Sequence, residues 1–293
     1  MSVLVIKHGA LGDIVQAFPA FAAIRAEHAD TRVTLLTAPA FAGFLRASPW
    51  FDRIETDPRL PFWNLPALLR LTRRLRGFTM VYDLQTSSRS SRYFRLAGRP
   101  PWSGIARGCA FPHADPARVR MHTRERLAAQ LAVAGIGSLP RPDLEWLARA
   151  DVSRFALPER FGLLVPGASA HRPEKRWPPG HYRALAERLE GPVVLVGGPG
   201  ERAPQGMRGV DLTGRTSLAE LAAVVSRAGF AVGNDTGPMH LAAALGVPSV
   251  VLFSGASDPA LTAPRYPDGG WPVILRAGKL AELPVATVLS SLP

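Results

Sequence analysis

Short apolar runs alternate with helix-periodic stretches along nearly the whole chain. Ser2–Ile6 is a strand-length apolar run, Ile14–Glu27 spaces its apolar residues as an amphipathic helix, and Arg32–Leu36 is the next strand. Asp52–Glu55 and Met80–Leu84 predict further strands, and Leu65–Arg76 and His122–Ala134 predict helices. In Leu65–Arg76 the spacing turns Leu65, Leu68, Leu69, Leu71 and Leu75 towards a core and Arg70, Arg73, Arg74 and Arg76 outward. Gly135–Ala150, rich in glycine and proline at its start, reads as a linker. The pattern then restarts with strands Phe161–Val165 and Pro192–Val196 and helices His181–Leu189 and Leu218–Arg227, the last capped by Ser217. Phe230–Ser254 packs strand, turn, helix and strand into one short element. Two successive βα series predict an α/β fold of two doubly wound domains, 1–150 and 151–293, facing each other across a cleft. The tail from Leu280 predicts a helix docked on either domain.

Open parallel sheets bind ligands beyond the carboxyl ends of their strands, so the loops there are the candidates. The first runs Lys7 to Asp13 as Gly-x-x-Gly-Asp. It is not Gly-x-Gly-x-x-Gly, and no acidic residue closes the second strand, which argues against nicotinamide or flavin binding. Asp13 opens its helix, where the macrodipole favours an ionised carboxylate; it is either a plain cap or a general base. The polar loop Gln85–Arg89 suits sugar hydroxyls. In the second half, the loops after Val165, Val196 and Val232 open on one edge and offer Ser169, Lys175, Gly197, Gly198, Glu201, Asp235, Thr236, Gly237 and His240. Gly233-Asn234-Asp235 reads as turn chemistry, since Gly and Asn tolerate positive φ. Asp235 or Thr236 then caps a helix with Pro238 in its first turn, a natural seat for phosphate. Lys175 suits a phosphate, Gly197-Gly198 lets backbone lie against a ring or ribose, and Glu201 suits ribose hydroxyls. The plain alternatives are an ordinary capped βαβ unit, a tight turn and a solvated lysine.

Charge changes this picture more than composition does. The chain has 293 residues and a net charge of +12. Residues 1–150 hold 21 Lys+Arg against 11 Asp+Glu, and residues 151–293 hold 14 against 12, so the excess lies almost wholly in the first half. That half expects an anionic partner: phosphorylated glycolipid, membrane surface or nucleic acid. Sparse aromatic–basic interleaving disfavours nucleic acid. The basic face of Leu65–Arg76 could touch a membrane, although a solvated charged face explains it as well. The single cysteine, Cys109, precludes an internal disulfide and fits a reducing compartment. No apolar run is long enough for a spanning helix, and the N-terminus lacks a signal-peptide pattern, so a cytoplasmic protein is expected. No metal-ligand spacing, Gly-x-Ser-x-Gly elbow or P-loop occurs. A diphosphate leaving group without a metal needs a cation and a helix dipole, which Lys175 and the helix at Thr236 provide.

Four stretches carry a family resemblance: VLVIKHGALGDIVQAFPAFAAIR, VYDLQ, LLVPGASAHRPEKRWPPGHY and VGNDTGPMHLAAALGVPSVVLFSGASDP. In these the chain resembles family 9 glycosyltransferases of the ADP-heptose:lipopolysaccharide heptosyltransferase type. The resemblance implies the GT-B fold, with two Rossmann-like domains, acceptor on the N-terminal one and donor on the C-terminal one. It implies an inverting transfer without metal or other cofactor, from a nucleotide sugar such as ADP-heptose to an anionic glycolipid or glycan, with possible peripheral contact at the inner membrane. By the same resemblance Asp13 is the base, Lys175 contacts the donor's phosphate and sugar, and Asp235, Thr236, Gly237 and His240 form the donor motif. Lys7, Gly12, Gln85 and Arg89 are the residues expected towards the acceptor. The rival expectations are a non-enzymatic protein binding nucleic acid or anionic membrane, and a sugar-nucleotide epimerase or hydrolase on the same fold.

Overall fold

The apolar runs become parallel strands. The computed structural model describes residues 2–168 and 171–293. In the first unit the strands are β1 (Ser2–Ile6), β2 (Arg32–Thr37), β3 (Arg53–Thr56), β4 (Met80–Asp83), β5 (Trp102–Gly104) and β6 (Phe111–Pro112). In the second they are β7 (Gly162–Val165), β8 (Val193–Leu195), β9 (Val210–Asp211), β10 (Phe230–Asn234), β11 (Ser249–Phe253) and β12 (Val273–Arg276). The first sheet has the order β3-β2-β1-β4-β5-β6 and the second β12-β11-β10-β7-β8-β9. Every pairing is parallel. Each unit therefore winds outward from its first strand in one direction and then, from its fourth strand, in the other. The order reverses between β1 and β4 in one unit and between β7 and β10 in the other, and a crevice opens at the carboxyl ends of such strand pairs. Ile6 is registered with Asp83 at the first reversal, and Gly233 with Val165 at the second.

Helices cover both faces of a parallel sheet, so its central strands are buried on both sides. Val3, Leu4, Val5 and Ile6 of β1 are all buried. The helices Leu65–Leu75 and Ser88–Leu96 close one core, where Leu71, Leu75, Tyr93 and Phe94 meet Trp102 and the β1 and β4 side chains. In the second unit, Trp177, Tyr182 and Leu185 pack with Leu164, Val232 and Leu252.

Several expectations need correction. The helix expected over Ile14–Glu27 is two helices, Leu11–Gln16 and Phe18–Glu27. Pro19 has no N–H to continue the ladder across Ala17, so the helix restarts with proline in its first turn. Leu65 and Leu69 are not core residues: they are 65% and 60% exposed. The division of the chain falls between Asp143 and Leu144, not at 150/151. The turn Glu145–Ala148 packs on the helix Leu218–Val225 and buries Trp146 and Leu147, so the end of the expected linker is part of the second core. The tail forms the turn Leu280–Glu282 and the helix Val285–Ser290, which docks on the helix Pro179–Arg188 of the second unit.

Candidate functional site

In the second unit, β10 runs two residues further than expected. Gly233 and Asn234 are strand residues with no positive φ, so they are not a turn. Gly233 is glycine for space: a Cβ there would lie 2.6 Å from both Met239 Sδ and Val165 Cβ. Asn234 is fully buried and knits three segments together. Its Oδ1 accepts from the Trp177 backbone N–H at 3.0 Å, and its Nδ2 donates to the carbonyls of Pro166 at 2.9 Å and Gly167 at 3.1 Å. Trp177 is anchored a second time, because its Nε1 donates to the Leu283 carbonyl at 3.0 Å. The polar run His171–Pro179 is thus pinned by one buried indole, and Lys175, two residues earlier, is carried to the end of β10.

There the Lys175 ammonium lies 2.6 Å from Asp235 Oδ2. Ser257 Oγ donates to the same oxygen at 3.1 Å, and His240 Nε2 stands 3.8 Å from Oδ1. Burial pushes the Asp235 carboxyl up, but the His240 imidazole and the Lys175 ammonium outweigh it and hold the group below the ordinary carboxylate value. Asp235 is therefore committed to orienting a cation and an imidazole, not to capping the helix. Thr236 occupies the N-cap position of the helix Gly237–Ala244, but its hydroxyl donates back to the Asn234 carbonyl at 3.2 Å. No described side chain caps this helix, so its positive end stays open beside Lys175 and His240. An anion placed there meets a cation and a helix dipole together.

Glu201 turns back onto its own loop, and Oε2 accepts from the Gly198 N–H at 2.6 Å. Its carboxylate fills the space beside two glycines: a Cβ on Gly167 would come within 2.1 Å of it and a Cβ on Gly197 within 2.7 Å. Gly167 and Gly197 thus make room for a carboxylate at the edge shared by β7 and β8. Ser169, expected in this set, lies outside the described residues.

The first unit builds its edge from different chemistry. Asp13 stands in the first turn of Leu11–Gln16, half-buried, and Oδ2 accepts from the Ala10 N–H at 3.1 Å. Gly12 sits beside it in the same turn, also half-buried. Lys7, expected to face the acceptor, is instead buried, and its Nζ donates to the Leu84 carbonyl at 3.2 Å. Burial lowers the Lys7 pKa, opposed by the charge of Asp13. Gln85 Oε1 accepts from the His8 N–H at 2.9 Å, which ties the β4 loop to the β1 loop. Arg89 is also engaged internally: it donates to Tyr93 Oη at 2.7 Å and to the Leu60 carbonyl at 2.7 Å. Asp83, at the end of β4, accepts from the N–H groups of Gln85 and Thr86, and its burial raises its pKa to about 6.

A cluster not expected from sequence lies beside these residues. Asp57 directly follows β3, and its Oδ2 is 3.3 Å from His8 Nε2, accepts from the Tyr93 hydroxyl and lies 3.8 Å from Arg89 Nε. Its Oδ1 accepts from the Arg59 N–H at 2.7 Å. Burial raises the Asp57 carboxyl, but the bonds from His8, Tyr93 and the Arg59 backbone overcome it and bring the group to about 2. The usable sequence signal was position: a carboxylate immediately after a strand, followed by Pro58, is a carboxyl-edge residue.

The family model described as glycosyltransferase family 9 (heptosyltransferase) matches residues 68–268. Lipopolysaccharide heptosyltransferase 1 of Pseudomonas aeruginosa is 29% identical over 295 aligned positions, covering 89% of this chain and 81% of that protein. Among solved structures, Escherichia coli ADP-heptose lipopolysaccharide heptosyltransferase II superposes with a TM-score of 0.77 at 22% identity, covering 99% of this chain and 97% of that one. Escherichia coli heptosyltransferase WaaC with ADP gives a TM-score of 0.75 at 22% identity, covering 99% and 98% of the two chains.

Proposed function

This chain belongs to glycosyltransferase family 9, and we propose that it transfers a heptose from ADP-heptose to a lipopolysaccharide-core acceptor with inversion. The observation that carries the reading is the Lys175–Asp235–His240 cluster in front of the open helix end at Gly237. A diphosphate leaving there would be met by the Lys175 ammonium and the helix dipole, in a geometry fixed before the substrate arrives. That pairing supports departure without a metal. Glu201, beside Gly197 and Gly198, would take the ribose hydroxyls in exchange for the Gly198 N–H. The relatives named for heptosyl transfer to lipopolysaccharide, and the solved relative holding ADP, support the donor and acceptor classes.

Asp13 is the proposed base. Its carboxylate takes the proton of the acceptor hydroxyl as that oxygen bonds to the anomeric carbon, while the bond to the diphosphate breaks on the opposite face. The electron pair leaves with ADP and the configuration inverts. Correctly placed proton transfer commonly contributes about 10²–10⁴-fold. The excess positive charge of the first half supports an acceptor bearing phosphates or acidic sugars, used at the cytoplasmic face of the inner membrane.

The test is transfer from ADP-heptose, followed by ADP release with and without acceptor, for the native protein and Asp13→Asn. We expect acceptor-dependent ADP release that the variant loses while calorimetric ADP affinity stays. ADP release without acceptor would favour a hydrolase, and turnover surviving in Asp13→Asn would remove the base from the scheme.

A further inference from the structure

We propose that the Leu60–Arg76 surface of the first unit docks on a bilayer containing anionic phospholipid. Eight large apolar side chains among the described residues are exposed, and four of them, Leu60, Trp63, Leu65 and Leu69, fall within ten consecutive residues. Trp63 is 84% exposed, the most of any. In the second unit, by contrast, exposed Trp271 is covered by Arg265, whose Cζ lies 3.4 Å from the ring centroid. Scattered exposed leucines need no explanation, but an exposed indole with three leucines on one helix end and its lead-in loop forms a patch.

The charge around this patch is one-sided. Between Asp57 and Asp115 the sequence holds ten arginines and a single carboxylate, Asp83. Asp83 is fully buried and contributes nothing to the outer surface. Arg70 and Arg73 emerge from the same helix as Leu65 and Leu69, on its exposed side. The helix packs on Ser88–Leu96, and Arg92 reaches across, its Cζ 5.6 Å from the centroid of Phe62. Beyond Arg92 opens a cavity of about 670 Å³ lined by Arg92, Arg95, Arg99 and Arg107. None of these four arginines is ion-paired with a described carboxylate.

Apolar side chains backed by unpaired arginines match one occupant best. Trp and Leu enter the boundary between headgroups and acyl chains, while arginines keep their guanidinium groups at phosphate depth. A soluble anionic glycan would use the arginines but would leave three leucines against water. A lipid phosphate fits the four-arginine cavity, and guanidinium binds it through paired N–H donors. The inference deepens the glycolipid reading of the acceptor, since it says where the acceptor's membrane would lie.

The experiment is co-sedimentation of the full chain with vesicles of phosphatidylglycerol mixed into phosphatidylcholine, and with phosphatidylcholine alone. Binding is expected to the anionic vesicles and to weaken with salt. One arginine near an anionic surface is worth about five-fold in binding, so Arg95→Ser with Arg99→Ser should lose about 25-fold. Trp63→Ser with Leu69→Ser should lose about ten-fold or more. All four residues are exposed, and both variants should keep the ADP-induced thermal shift and the turnover of a deacylated acceptor in solution. Equal vesicle binding by native protein and variants, or none by either, overturns the proposal. A parallel loss of turnover with the deacylated acceptor also overturns it, because the surface would then belong to the acceptor glycan. Vesicle binding without any sugar transfer would sink the transferase reading and leave this one standing.

Discussion

Asp57→Asn tests how the first unit's edge is held together. The carboxylate is buried and is stabilised in its ionised form by His8, Tyr93 and the Arg59 N–H, which take it from 3.8 to about 2. That depression corresponds to about 2 kcal/mol favouring the ionised form in the folded protein. Asparagine keeps the shape and removes the charge, so it mimics the protonated state. Because the folded value is depressed, the stabilisation is present above the unfolded value of 3.8 and disappears as pH falls through about 2. The native protein should therefore exceed the variant by about 2 kcal/mol at pH 5 and above, and by about half that near pH 3. The assay is amide hydrogen exchange of the β1 peptide, native against variant at each pH. The ratio cancels the intrinsic pH dependence and reports opening of this unit alone. An exchange ratio of about 30 is expected at pH 6, shrinking below pH 4. A ratio near one at pH 6, or one that does not change with pH, would mean that His8 and Tyr93 do not hold Asp57 as an anion.

Lys175→Ala removes the cation beside the open helix end and should weaken ADP about 10–100-fold by calorimetry, as expected for a charge-assisted contact; unchanged affinity would refute its phosphate role. Gly233→Ala pushes a methyl into Met239 and Val165 and should cost about 1–3 kcal/mol in the second unit, seen as a lower melting temperature that ADP partly restores. Asp83→Asn has the opposite sign to Asp57→Asn. Its raised folded value, about 6, means that stability is lost as pH rises through 6, by up to about 3 kcal/mol. The variant should melt higher than the native protein at pH 7.5 and equally near pH 3, and a lower melting temperature at pH 7.5 would show that the charge is needed.

Sequence patterning revealed the elements better than their boundaries. The strands β1, β7, β10 and β11 were legible because runs of Val, Ile and Leu buried on both faces have few other uses. Gly233 and Asn234 were misread because a glycine demanded by close packing looks identical, in sequence, to one demanded by a turn. Helical periodicity places Leu65 and Leu69 on one stripe but cannot say whether anything covers it. Lys175 and Asp235 were each legible as loop residues at the carboxyl edge of the second sheet, yet their 2.6 Å pairing was not, since sixty positions separate them. The Asp57–His8–Tyr93 cluster was hidden for the same reason, its members arriving from β3, β1 and the helix after β4.

Trp177 gives the carboxyl-terminal tail a mechanical part in holding the Lys175 loop. Its ring is clamped by the Leu283 carbonyl while its backbone is clamped by Asn234, so the loop bearing Lys175 is riveted at one end to the link between the turn Leu280–Glu282 and the final helix. Shortening that tail, or fusing a tag that pulls on it, would loosen the rivet and let the ammonium wander from the helix end. Any affinity that Lys175 confers would thus be written partly in residues remote from it in sequence.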